Sequence, residues 1–199
     1  MNELSPDTEL WLVRHGETQW SREWRHTSVT DLSLTEVGRA QAQSLRPLLA
    51  GVPFDRVWSS PRSRALETAE LVGFEPQVEE DLVEWDYGEY EGITTEEIRR
   101  TVPDWTIWSR PTPGGETAAQ VGERLDRVVE RARALGGRTL AFAHGHSLRV
   151  LAARWLGLDV ADGRVFDLDT ATYSVLSDDR GQPVVKHWNV HDGTRMPKA

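Results

Sequence analysis

Apolar residues recur along this chain in two rhythms, one of short unbroken runs and one of helical stripes. The runs are residues 10 to 13 (Leu-Trp-Leu-Val), 56 to 59 (Arg-Val-Trp-Ser) and 139 to 143 (Thr-Leu-Ala-Phe-Ala), and their length and composition predict buried β-strands. Val37, Ala40, Leu45 and Leu48 follow Ser33-Leu34-Thr35-Glu36, which has the spacing of a capping box. A helix is therefore predicted over 34 to 49, with Pro47 ending or kinking it. Ser60-Pro61 reads as an N-cap with proline at the first helical position, opening a helix that runs to Val72. Val121, Leu125, Val128, Ala132 and Leu135 form a helical stripe closed by Gly136-Gly137, and Leu148, Leu151, Ala152, Trp155 and Leu156 share the face of another helix. Residues 172 to 176 and 184 to 188 predict two closing strands about a turn at Asp178-Asp179-Arg180-Gly181. The stretches from 14 to 31, from 79 to a helix starting at Thr94, and around Pro103, Pro111 and Pro113 read as loop.

Strands that alternate with helices predict an α/β fold: a three-layer α/β/α sandwich about a mainly parallel sheet, with an antiparallel addition near the C-terminus. At 199 residues, against about 150 per domain, the chain reads as a single domain over 1 to 199.

Composition narrows the functional classes. With 38% hydrophobic and 28% charged residues, collagen, coiled-coil arrays and long disorder are excluded. Lys plus Arg number 23 and Asp plus Glu 32, a net charge of −9, which disfavours nucleic acid and anionic membranes as partners. The nine tryptophans accordingly read as packing, with Trp108 the best candidate for a pocket wall. Cysteine is absent, which removes disulfides, Cys-ligated metals and thiol nucleophiles. Residues 1 to 9 lack the basic and apolar regions of a signal peptide, and no segment approaches the ~20 apolar residues of a membrane span, so a soluble cytoplasmic protein is expected. Oligomeric state is left open, a homodimer being compatible with the sequence.

Three predicted strand ends run directly into reactive residues: Arg14-His15-Gly16, Ser59-Ser60-Pro61-Arg62-Ser63-Arg64, and His144-Gly145-His146-Ser147. In an open α/β sheet ligands bind at the carboxyl ends of parallel strands, so these segments are expected to converge. Helical side chains lean toward the N-terminus, which lets Arg64 reach back over its strand end while Arg62 points elsewhere. Two arginines, two histidines and the free N–H groups of two helix starts match a phosphate-type dianion. Covalent catalysis is then available: a neutral imidazole attacks phosphorus, guanidiniums offset charge on the equatorial oxygens, and a carboxylic acid protonates the leaving oxygen. His144 and His146 also have H-x-H metal spacing, but no Asp-rich partner motif accompanies them and Arg14 with Arg64 would oppose a cation, so no metal or other cofactor is expected.

Leu12-Val13-Arg14-His15-Gly16-Glu17-Thr18 resembles the signature of the histidine phosphatase superfamily, the phosphoglycerate-mutase-like proteins, and Ser59 to Ala69, Glu84 to Gly92, Gly114 to Thr117 and Ala143 to Arg149 match in order. The resemblance implies that His15 is the nucleophile, Arg14 and Arg64 are phosphate clamps, His144 is a second histidine on the transferred group, and Glu84 is the acid. For that role the Glu84 carboxyl must be raised from about 4.3, and the surrounding acids are the expected cause. Glu84-Trp85-Asp86-Tyr87-Gly88, Gly115-Glu116-Thr117 and Phe142-Ala143-His144-Gly145-His146 look like the branch containing sedoheptulose-bisphosphatase-type and small-molecule acid phosphatases. That branch implies a small phosphorylated metabolite, first a sugar phosphate, hydrolysed without metal through a phosphohistidine.

Within this resemblance Ser21 stands where many mutase-type members have asparagine, and is a candidate phosphate ligand with Gly145. Thr27, Tyr87 and His146 are candidates for substrate hydroxyls, and Arg22, Arg25 and His26 for a second anionic group. The plainer reading of His26, His187 and His191 is surface or capping. Nine carboxylates between Glu79 and Glu97 are expected to make the mouth negative unless they face away. Two alternatives stand beside the phosphatase: a phosphoglycerate mutase, for which the chain looks too short, and a phosphate-binding interaction protein without turnover.

Overall fold

Successive side chains of a strand point to opposite faces of its sheet, and two strands of this chain divide their apolar residues accordingly. In β1 (Glu9–Arg14), Leu10 and Leu12 join one buried cluster while Val13, with Trp11 packed beside it, joins another. In β4 (Arg138–Ala143), Ala141 and Ala143 go to the first cluster, Leu140 and Phe142 to the second. The unbroken apolar runs thus reflect a sheet covered on both sides. In the computed structural model, which describes residues 8 to 193, the second face is covered by Leu45, α3 (Arg46–Leu49) and α4 (Ser63–Val72), with α2 (Glu36–Ser44) packed against α4. The first is covered by α6 (Ala118–Leu135) and α7 (Gly145–Trp155). Short helices α1 (Gln19–Arg22) and α5 (Thr95–Arg99) lie in the loops.

The sheet has six strands in the order β3-β2-β4-β1-β5-β6. β1, β2 (Arg56–Ser59), β3 (Gln77–Val78) and β4 run parallel; β5 (Tyr173–Asp179) and β6 (Gln182–Val190) add antiparallel beyond β1. The expected α/β sandwich, mainly parallel with an antiparallel C-terminal addition, is the fold observed. Only β3, two residues long, had no sequence signal. Arg180 and Gly181, both at positive φ (55° and 83°), form the two-residue turn of the last hairpin, as twist-matched turns require.

Helix starts differ from the sequence reading. The side chain of Thr35 accepts from the Gly38 N–H at 2.9 Å, so the cap is Thr35 and α2 begins at Glu36. The single predicted helix is two, divided at Leu45, and Pro47 lies in the first turn of α3, where its missing N–H is an orphan donor in any case. Arg62 is the N-cap of α4, leaving Ser60-Pro61 outside the helix. The Ser60 hydroxyl is engaged by His144 instead.

β4 is flanked by β1 and β2, whose chains leave for helices on one face while the chain from β4 enters α7 on the other. This divergence opens a crevice over the carboxyl ends of β1, β2 and β4. The turn after β1 is fixed by close backbone approach: a Cβ at Gly38 would sit 2.1 Å from the Glu17 carbonyl oxygen, and one at Gly16 would sit 2.4 Å from the Gly38 carbonyl oxygen. Among the described residues no helix is long and apolar enough to cross a membrane.

Gly38→Ala should therefore lower stability by about 1 to 3 kcal/mol through overpacking, read as a fall in the urea midpoint. An unchanged midpoint would mean that the turn yields without cost.

Candidate active site

The parallel register of β1 and β4 aligns Arg14 with Ala143, and the ladder continues one residue further, from the His15 N–H to the Ala143 carbonyl at 3.0 Å. His15 and His144, each the first residue past its strand, consequently sit side by side with ring centroids 5.2 Å apart. β2 ends beside them, its ladder continued by the Ser60 N–H to the Phe142 carbonyl at 2.9 Å. Arg64, in the first turn of α4, donates from Nε to His144 Nδ1 at 3.2 Å. Its terminal nitrogens donate to the carbonyls of Thr30 (3.0 Å), Ser28 (3.2 Å) and Thr27 (3.4 Å).

These bonds assign the tautomers. A carbonyl can only accept, so His15 Nδ1, 2.7 Å from the Gly16 carbonyl, carries the proton and leaves Nε2 with a lone pair. A guanidinium can only donate, so His144 accepts at Nδ1 and presents Nε2–H to Ser60 Oγ at 2.7 Å. Both rings are held well below the ordinary histidine range, first by burial and then by the neighbouring charge of Arg64. The same forces keep them neutral.

Glu84 approaches from the loop that follows β3. Its Oε1 accepts from the N–H groups of Trp85 (2.9 Å) and Ser147 (2.8 Å), its Oε2 from that of His146 (3.0 Å). The carboxyl is thus clamped on the first turn of α7, with two backbone donors on Oε1 and one on Oε2.

A cavity of about 550 Å³ opens over this cluster. Of the residues singled out in the sequence, Arg14, His15, Ser21, Thr27, Glu84, Tyr87, Gly145 and His146 line it. Arg64 and His144 lie directly behind His15, each 0% exposed. Arg14 donates to the Leu168 carbonyl, while its buried Nε–H has no acceptor among the described residues. The Ser21 hydroxyl bonds the backbone N–H and carbonyl of Thr18 at 2.9 and 3.1 Å, capping α1, and that of Thr27 donates to the Arg25 carbonyl at 3.2 Å. Trp108 does not line the cavity; it packs behind His146 at 5.2 Å with the Arg149 guanidinium 4.8 Å over its ring.

Other lining residues escaped the sequence reading: Trp24, Gln41, Arg149, Asp167, Asp169 and Thr170. His26 and His191 also line it, and His26 is buried, contrary to its surface reading. Its Nδ1–H is anchored to the Ile93 carbonyl at 2.7 Å, a partner 67 residues away that leaves no local pattern.

The expected negative mouth is not built from the 79 to 97 segment, of which only Glu84 and Tyr87 and Thr95 border the cavity. Glu79 pairs with Arg131 and Asp81 with Arg127, while Glu91 accepts from the N–H groups of Ser28 (2.9 Å) and Thr30 (3.0 Å). The lining acids are Glu17, Glu84, Asp167 and Asp169, set against Arg14, Arg22, Arg25 and Arg149.

The sequence profile of the histidine phosphatase superfamily (branch 1) matches residues 10 to 191, and the chain belongs to that superfamily. An acid phosphatase of Mycobacterium tuberculosis is 42% identical over 177 residues, covering 86% of this chain and 87% of that protein. A sedoheptulose 1,7-bisphosphatase of Saccharomyces cerevisiae is 36% identical over 183 residues, covering 75% of this chain and 68% of that protein. The solved structure of a Mycobacterium tuberculosis open reading frame product superposes with a TM-score of 0.89 at 39% identity, covering 92% of this chain and 98% of the other.

His15, His26, His144 and His146 are all held below the ordinary value of 6.5, chiefly by burial. The native protein refuses protons that the unfolded chain accepts, so their contribution to stability is present above that value and lost as pH falls below it. Each group accounts for about 1.4 kcal/mol per pH unit until the native ring itself is protonated. Urea unfolding at pH 7.5 and 5.5 should give a lower midpoint in acid, with a smaller difference in His146→Phe; equal differences would remove His146 from the set.

Proposed function

We propose that this member of the histidine phosphatase superfamily hydrolyses small phosphomonoesters, sugar phosphates first among them, through a phosphohistidine at His15 and without a metal ion. One observation carries the reading: a neutral imidazole with its lone pair at Nε2 lines a cavity together with the Arg14 guanidinium. Arg14 bonds the Leu168 carbonyl through one terminal nitrogen, and its charge is open to a phosphoryl oxygen that enters the cavity.

In the first step His15 Nε2 forms a bond to phosphorus as the bond to the ester oxygen breaks, and the departing alkoxide takes a proton from Glu84. In the second, water gives a proton to the Glu84 carboxylate and its oxygen displaces Nε2 from phosphorus, releasing phosphate and restoring both residues. Two in-line displacements give net retention at phosphorus. Arg14 offsets charge on the phosphoryl oxygens directly, while burial first and Arg64, from behind, second keep His15 unprotonated and so nucleophilic. His144, behind His15 with its Nε2–H bonded to Ser60, backs the nucleophile rather than touching the cavity. The Gly145, His146 and Ser147 N–H groups open α7, whose positive end faces the same region, although two of them are spoken for by Glu84.

The sugar-phosphate substrate is supported by the sedoheptulose bisphosphatase relative, and hydrolysis by the phosphatase names of both relatives.

His15→Ala should abolish phosphate release from a 32P-labelled sugar phosphate and the acid-labile protein label seen on rapid quenching. Glu84→Gln should slow release about 10²- to 10⁴-fold, and a chelator should change neither. Undiminished release from His15→Ala overturns the mechanism; isomerisation of 3-phosphoglycerate without phosphate release, in the presence of 2,3-bisphosphoglycerate, makes the protein a mutase.

A further inference from the structure

We infer that His26 and His146 form a paired reader of leaving-group hydroxyls, so that the cavity selects phosphate esters of polyols and sugars over esters whose leaving group lacks a neighbouring hydroxyl. This deepens the phosphatase reading and rests on it.

The two imidazoles lie nearly parallel, 11° apart with centroids at 6.4 Å, and both line the cavity. Each is pinned by one nitrogen. His26 donates Nδ1–H to the Ile93 carbonyl at 2.7 Å, which leaves Nε2 as an acceptor. His146 Nδ1 lies 2.6 Å from the Tyr87 hydroxyl. Tyr87 is 2% exposed, and this is the one hydrogen bond its hydroxyl makes among the described residues. A buried phenol that did not donate would strand its proton, so the O–H donates to Nδ1 and His146 carries its own proton on Nε2. Burial keeps the phenol protonated and both rings neutral.

The outcome is one fixed acceptor and one fixed donor of opposite character. Alcohols answer both, one hydroxyl giving its proton to His26 Nε2 and a neighbouring one accepting from His146 Nε2–H. Each ring nitrogen bonds in its own ring plane and the two planes are nearly parallel, so the group that fits the pair is two hydroxyls on neighbouring carbons, one to each ring. A second anion would meet only one donor and a lone-pair nitrogen here, which argues against His26 as part of a phosphate subsite.

Position relative to the reaction supports the assignment. The backbone N–H of His146 holds Glu84 Oε2, and both residues line the cavity, which puts His146 beside the carboxyl proposed to serve the leaving group. The pair is rigid. His26 packs edge to face against Tyr87 (4.7 Å) and Trp105 (5.3 Å), and His146 against Trp108 (5.2 Å). Rings locked on three sides lose little freedom when a ligand arrives, and a site whose buried polar groups expect a hydroxyl discriminates against its absence.

The test compares kcat/KM for glycerol 1-phosphate with that for propyl phosphate, an ester of similar shape without hydroxyls. Intrinsic leaving-group reactivity contributes equally to the ratio in every variant, so the change in the ratio is the readout. His26→Phe and His146→Phe should each reduce it by about tenfold or more. His26→Gln, which restores an acceptor oxygen, should recover part of the loss and stands in if the phenylalanine variant fails to fold. A ratio unchanged in the folded variants overturns the pairing. Calorimetric binding of both esters to the His15→Ala protein gives the same ratio without turnover. A preference for the glycerol ester there, with no phosphate release by the native enzyme, sinks the phosphatase reading and leaves the hydroxyl reader standing; equal affinities overturn the reader alone.

Discussion

The site depends on a single guanidinium that has no contact with solvent. Burying a charge carries a desolvation penalty of several kcal/mol unless its donors are satisfied, and Arg64 meets that demand with three carbonyls of the 27 to 30 loop, His144 Nδ1, and Asp31 at 4.0 Å. The loop is shaped to supply those carbonyls because Glu91 binds its N–H groups from the other side. One loop is thereby held between a buried cation and a carboxylate, and it carries His26 and Thr27 to the cavity wall. After burial, the charge that fixes the loop is the next cause that suppresses protonation of His15 and His144. One residue therefore bears on both the loop and the charge state of His15.

Much of this arrangement was legible in the sequence, and the legible part has a common physical basis. Strand ends followed at once by Arg14-His15, Ser60 and His144 converge because parallel strands deliver their carboxyl ends to one edge, and apolar periodicity located those strands and the helices between them. Glu84 was reached only through resemblance, since one acid among nine carries no local mark. What stayed hidden was held by partners distant in sequence. His26 is buried by a carbonyl 67 residues away, Arg149 is strapped to the carbonyls of Gly163 and Arg164, and Gln41 bridges the Glu17 N–H and Thr170. Capping showed a milder version of the same limit. Both Ser33 and Thr35 fit a cap locally, and the approach of Gly38 to the Glu17 backbone decides for Thr35.

Net charge gave a poor guide to the mouth. The acids that make the chain −9 overall are spent largely on caps and ion pairs: Glu97 caps α5, Glu116 forms a two-pronged pair with Arg124, and Asp126 does so with Arg154. Around the cavity four arginines face four carboxylates. Local pairing, rather than composition, sets the potential within the cavity.

The two margins of the sheet carry a consequence for how copies of this chain meet. β3 offers a passing strand only two residues of backbone, and β6, though nine residues long, carries Pro183 without an amide proton, the cation Lys186, and Asn189 turned to φ 55°. Such features deny a neighbouring molecule a continuous template for main-chain zippering, which guards the folded protein against fibrillar stacking and confines strandwise growth of the sheet to the chain that made it.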